Sequence, residues 1–160
     1  MRSLWLAALA AFLFDQWSKF HVFGLFSSEA LAQIDVAPPY LVFRKGMNTG
    51  VNFGLFADSA AGQRWILIVL SVALCAMLLY WAKKNFHNWR SFASAGLIIG
   101  GALGNAFDRL LYPGVRDFLN MSCCGFQNPY VFNVADVFIF LGAFGLILFT
   151  GDSAEGEKPS

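Results

Sequence analysis

Formal charge is scarce in this chain. Of its 160 residues only 13% are Asp, Glu, Lys or Arg, and ten acids against eleven bases leave a net charge of +1. With no Lys/Arg run, nothing in the sequence provides the electrostatic footprint that nucleic acid requires. Histidine is almost missing: His21 and His87 are the only two. No H-E-x-x-H pair or comparable ligand cluster exists, so zinc proteolysis is excluded and no metal is expected. G-x-S-x-G is absent, as is a Ser/His/Asp set. The glycine-rich stretch SAGLIIGGALGNAF lacks the Lys-Ser/Thr ending of a phosphate loop, which removes nucleotide binding. No cofactor is expected. What the chain has instead is apolar mass, with 58% hydrophobic residues and 18 Phe. That is too much for an ordinary soluble domain.

Four segments, residues 4–26, 65–81, 92–111 and 131–150, are long and apolar enough to be read as membrane helices. The expected fold is therefore all-α and integral to a membrane, one domain over residues 1–150 followed by a disordered cytoplasmic tail, 151–160. Lys83, Lys84 and Arg90 make the loop between the second and third spans the most basic, which places it and both termini in the cytoplasm. The loops at about 27–64 and 112–130 then face outward. Arg2, an apolar run and ALAQ at Ala30–Gln33 imitate a cleavable signal peptide. Asp15, Lys19 and His21 interrupt that run, which an apolar signal core does not tolerate.

The polar residues inside the spans fall at one depth. Asp15 and Lys19 come late in the first helix, Asn105, Asp108 and Arg109 late in the third, and Asn133 and Asp136 in the opening turns of the fourth. Within each set the spacing is i,i+3 or i,i+4, so each set occupies one helix face. Polar faces in the outer half of a bilayer are expected to turn toward each other. Asp15–Lys19 reads as an intrahelical ion pair, and Asp108 beside Arg109 as another. Gly96, Gly100 and Gly104 form a small-residue face for close helix approach.

Asp136 is the only charge in VFNVADVFIFLGAFGLILFT, where an unpartnered acid costs about 3 kcal/mol or more. Cys75 lies mid-helix as inert core. The adjacent Cys123 and Cys124 either bond to each other, pair elsewhere or stay thiols, with little nearby to lower a thiol pKa. The remaining reactive possibility is Asp117, in the outer loop, with Asp136. Two acids sharing a site hold one proton between them and can activate water, which is aspartic-protease chemistry. A proton-coupled carrier buries acids in the same manner, and both readings stand at this point.

DQWSK at 15–19, NTGVNFG at 48–54, GGALGNAFDR at 100–109, VRDF at 115–118 and FNVAD at 132–136 together resemble the lipoprotein signal peptidase family, also called signal peptidase II. The resemblance implies a multi-pass aspartic endopeptidase of the bacterial inner membrane, with its site toward the periplasm. It would cut diacylglyceryl-modified prolipoproteins just before the lipidated cysteine, in contact with membrane lipid. It implies Asp117 and Asp136 as the catalytic dyad. Asn48, Gly50, Asn105, Arg109 and Asn133 would be substrate-binding or dyad-supporting positions, and Asp15, Lys19 and Asp108 architectural ones. It also implies a small β element in the first outer loop, with which YLVFRKGMNTGVNFGLF is compatible. Asn52 and Arg116 depart from the family pattern, which leaves open a non-catalytic relative that only binds lipidated chains. A cation next to Asp117 is expected to move the pH profile modestly, although neighbours in extended chain point to opposite faces.

Overall fold

A computed structural model describes residues 1–26, 33–38, 40–50, 60–123, 125 and 128–150. Its elements, in chain order, are α1 (Arg2–Leu25), β1 (Gln33–Ala37), β2 (Leu41–Asn48), α2 (Ala60–Asn85), α3 (Trp89–Leu111), β3 (Val115–Met121) and α4 (Val134–Thr150). The four expected helices are all present. The expected tail and the VNFGLF half of the strand-compatible stretch lie outside the described residues.

Helix α3 is the centre of the bundle, packing on α1, α4 and α2, whereas α2 packs chiefly on α3 alone. The glycine face explains the closeness of α1. A Cβ at Gly96 or Gly100 would collide with the carbonyls of Leu4 and Ala8, and one at Gly104 would sit 2.7 Å from Asp15 Oδ2. Leu4, Ala8, Ala82, Phe86, Ala95, Ile99 and Leu146 form the apolar core at that end. There the Asn88 side chain caps α3 by accepting from the Ser91 N–H at 2.7 Å. Asn88 Nδ2 and Ser91 Oγ both donate to the Phe149 carbonyl at 3.0 Å, tying the last turn of α4 to the first of α3. At its other end α3 stops at Tyr112, whose extended backbone is the one a residue before Pro113 must adopt.

One expectation is met in part and one is corrected. First, only α2, over Gly62–Asn85, is long and apolar enough by itself to cross a membrane among the described residues. Helix α1 carries Arg2, Asp15 and Lys19, and α3 carries Arg90, Asp108 and Arg109. Helix α4 has 17 residues because it begins at Val134 rather than Val131. Residues before it are held elsewhere: Phe132 accepts from the Phe118 and Leu119 N–H groups and donates to the Leu119 carbonyl. Second, the β element is not confined to the first loop. The antiparallel sheet runs β1-β2-β3, and its third strand comes from the second loop and carries Asp117.

This sheet lies against the end of α1, where Phe118 packs with Val22 and Phe26 and, more peripherally, with Phe23, Ile34 and Phe43. Large apolar side chains line the outside of the helices, among them Leu6, Leu9, Phe20, Val69, Met77, Phe140 and Ile147. That is the surface of a protein whose solvent is hydrocarbon.

Candidate active site

Asp117 sits on β3 opposite Gly46 of β2, and Asp136 sits in the first turn of α4. The local structure at Asp136 is a reciprocal cap. Its N–H donates to Asn133 Oδ1 at 3.0 Å, while the Asn133 N–H donates to Asp136 Oδ2 at 3.1 Å. Asn133, fully buried, then uses its Nδ2 to reach Asp117 Oδ1 at 2.6 Å and Asn105 Oδ1 at 3.1 Å. Asn105 Nδ2 in turn donates to Asp136 Oδ1 at 2.9 Å. The two carboxylates from separate elements are thus joined through one asparagine and braced by a second.

The amide orientations follow from the partners. Lys19 has only donors, so the Asn105 oxygen must face it, at 3.0 Å, which turns the Asn105 amino group toward Asp136. Both Asp136 oxygens therefore accept hydrogen bonds. Asp117 is 3% exposed, and its pKa is pushed up to about 6. Burial is the main cause and the Asp136 charge adds to it, against the lowering effect of hydrogen bonds from Asn133 and Asn48.

Asn48, at the end of β2, accepts the Gly50 N–H at 3.1 Å, which orients its amide beside Asp117. Gly50 has φ +116°, and a Cβ there would meet Leu67 at 2.8 Å, so both backbone and space require glycine. Arg109 lies within electrostatic reach of Asp117 and Asp136, with its Nε buried and unpaired. With Asn105 it lines a groove of about 250 Å³ whose walls are Ser71, Leu74 and Cys75 of α2, Ile98 and Ala102 of α3 and Ile139 of α4. An apolar trough ending at a guanidinium and at the Asn105 amide that holds Asp136 suits a ligand with a greasy part and a polar, cleavable part.

Asp15 and Lys19 pair as expected, at 2.8 Å, both fully buried. The pairing of Asp108 with Arg109 is corrected. Asp108 meets Lys19 at 3.1 Å and Arg116 at 2.8 Å, because its side chain turns toward α1 while Arg109 turns toward the groove. Arg116 takes the other of the two orientations open to extended chain, away from the dyad. Its guanidinium bonds Asp108 and Gln16 and lies 4.3 Å from the Tyr112 ring, on the face of β3 opposite Asp117. Cys75 has a free thiol in the groove wall, and Cys123 is disulfide-bonded; Cys124 and Asn52 lie outside the described residues.

Two residues escaped the sequence reading. Gln16 donates to Asp15, the Gly104 carbonyl and Asp108; its helical i+1 position beside Asp15 was the available signal. Asn120, fully buried, donates to the carbonyls of Asn128 and Tyr130 and folds the following loop back. No sequence pattern marks it.

Two acids held by one asparagine, one of them buried with a raised pKa, form an arrangement able to activate water. Comparison with known proteins supplies the family: the description Signal peptidase (SPase) II matches residues 7–151, and the chain belongs to that family. It is similar to the lipoprotein signal peptidase of Aeromonas hydrophila subsp. hydrophila, 39% identical over 99% of this chain and 92% of that protein. It is also similar to that of Neisseria meningitidis serogroup C, 37% identical over 87% of this chain and 83% of the other. A solved bacterial membrane enzyme superposes with a TM-score of 0.79 at 24% identity, covering 100% of this chain and 94% of that one, and shares the fold. Membership decides between peptidase and carrier in favour of the peptidase.

Proposed function

We propose that the protein is an aspartic endopeptidase working within the bacterial inner membrane, with Asp117 and Asp136 as its catalytic pair. Its substrates are prolipoproteins carrying a diacylglyceryl group, cut just before the modified cysteine. The observation that carries the reading is the Asn133 bridge, which holds both carboxyls on one residue, Asp117 through its side-chain amide and Asp136 through its backbone N–H. Asp136, with both oxygens accepting hydrogen bonds, acts as the base toward water. Asp117, whose raised pKa favours its proton, acts as the acid. Water oxygen attacks the scissile carbonyl as Asp136 takes a proton and Asp117 protonates the carbonyl oxygen. Collapse of the tetrahedral intermediate expels the amine, which leaves with the proton from Asp136, while the carbonyl returns its own to Asp117.

The four helices are read as spans, with both termini cytoplasmic and the dyad facing the periplasm at the outer interface, where a lipid-anchored cysteine lies. Acyl chains rest in the groove between α2 and α4, and Asn48, Gly50, Asn105, Arg109 and Asn133 bind substrate or support the dyad. Purified protein in lipid, given a diacylglyceryl-modified prolipoprotein and no ion gradient, should release the signal peptide. Binding without cleavage would establish a non-catalytic relative and overturn the reading.

A further inference from the structure

Lys19 is fully buried, and each of its three ammonium protons has an acceptor: Asp15 Oδ2 at 2.8 Å, Asp108 Oδ2 at 3.1 Å and Asn105 Oδ1 at 3.0 Å. A buried ion pair that merely holds helices together needs nothing beyond these bonds. Yet both acids use further lone pairs on particular backbone groups. Asp15 Oδ1 accepts the N–H of Ala135 at 2.9 Å, and Asp108 Oδ2 accepts the N–H of Arg116 at 3.0 Å. Ala135 immediately precedes Asp136, and Arg116 immediately precedes Asp117. Each dyad aspartate is thus held by a buried carboxylate at the peptide before it, and both carboxylates are held by the same ammonium. The third donor of Lys19 goes to Asn105, whose amide braces Asp136.

We propose that Lys19, Asp15 and Asp108 form a positioning frame that sets the separation of Asp117 and Asp136 through the backbone N–H groups of Arg116 and Ala135. Beside the Asn133 bridge, this frame connects α4, which carries one acid, to β3, which carries the other, by charged hydrogen bonds. Shifting either anchor moves one carboxyl relative to the other without touching substrate. Displacements of about 1 Å at a reacting centre lower turnover by as much as ~100-fold.

This inference rests on the peptidase reading, and the test separates the two. Asp15→Asn keeps an oxygen for the Ala135 N–H and removes the charge; Asp15→Ala removes both. With the same purified protein and lipidated substrate, Asp15→Asn should lose thermal stability yet keep kcat within about threefold. Asp15→Ala should lose kcat by about ten- to a hundredfold, with KM within about twofold and a displaced pH profile. Where Asp15→Ala does not accumulate folded, the Asn and Ala pair at Asp108, which anchors Arg116, is compared in the same way. A folded Asp15→Asn that loses kcat tenfold or more overturns the frame, as does a folded Ala variant with normal kcat and pH profile. Absence of cleavage by the unsubstituted protein instead overturns the peptidase reading itself.

Discussion

In the proposed mechanism Asp117 and Asp136 take different parts because their surroundings differ. If they work as one unit, Asp117→Asn and Asp136→Asn should each abolish cleavage in the lipid assay, and the double variant should be no worse. Titration gives Asp117 a second signature. Its folded pKa, about 6, is above the ordinary carboxyl value of 3.8, so the folded state binds the proton more tightly than the unfolded chain does. The stabilisation linked to that proton is complete below about pH 4 and is lost as pH rises through 6, a change of about 3 kcal/mol. Asp117→Asn escapes this loss. Its melting temperature should exceed that of the unsubstituted protein by more at pH 8 than at pH 5, and an equal difference at both would show that Asp117 is not a buried proton holder. Arg116→Val is expected to leave the pH profile of cleavage unchanged while costing about 2 kcal/mol of stability, because the side chain serves Asp108 and Gln16 whereas the N–H that Asp108 needs is retained.

At the scale of elements, the site depends on surfaces that contain no acid at all. Gly100 lets α3 touch the Ala8 carbonyl of α1, and the Asp15–Lys19–Asp108 contacts one turn and more away require that approach. Gly100→Val should therefore separate the helices, cost roughly 3 kcal/mol or more by overpacking, and reduce the yield of folded protein measured by gel filtration. Strand β3 is held on one side by β2 and on the other by Phe132, so the chain leaving Asp117 returns directly to Asn133. That return, with Asn120 folding the intervening loop, brings two sequence-distant carboxyls to one asparagine.

For the whole molecule, the loosely attached helix is the informative one. Helix α2 packs chiefly on α3 and leaves the groove open beside α4, with Leu74 in its wall. Leu74→Trp should fill that groove and lower kcat/KM severalfold, chiefly through KM, when lipidated substrate is titrated; an unchanged KM would place the acyl chains elsewhere. The four-helix character was legible from sequence because hydrophobic length is a local property, and Asp15–Lys19 was legible because i,i+4 spacing on a helix makes neighbours. The motifs around Asp117 and Asp136 likewise marked the acids without any structure. Tertiary structure alone decided the rest. Whether Asp108 would serve Arg109 or Arg116, whether Arg116 would face the dyad, and that the second loop would add a strand all depend on which way a side chain or edge turns toward a partner distant in sequence. So does the convergence of Asp117 and Asp136 on Asn133. Composition and spacing set what each residue is able to do, but long-range packing around the α3 glycine face selected which of those partners came within hydrogen-bonding distance.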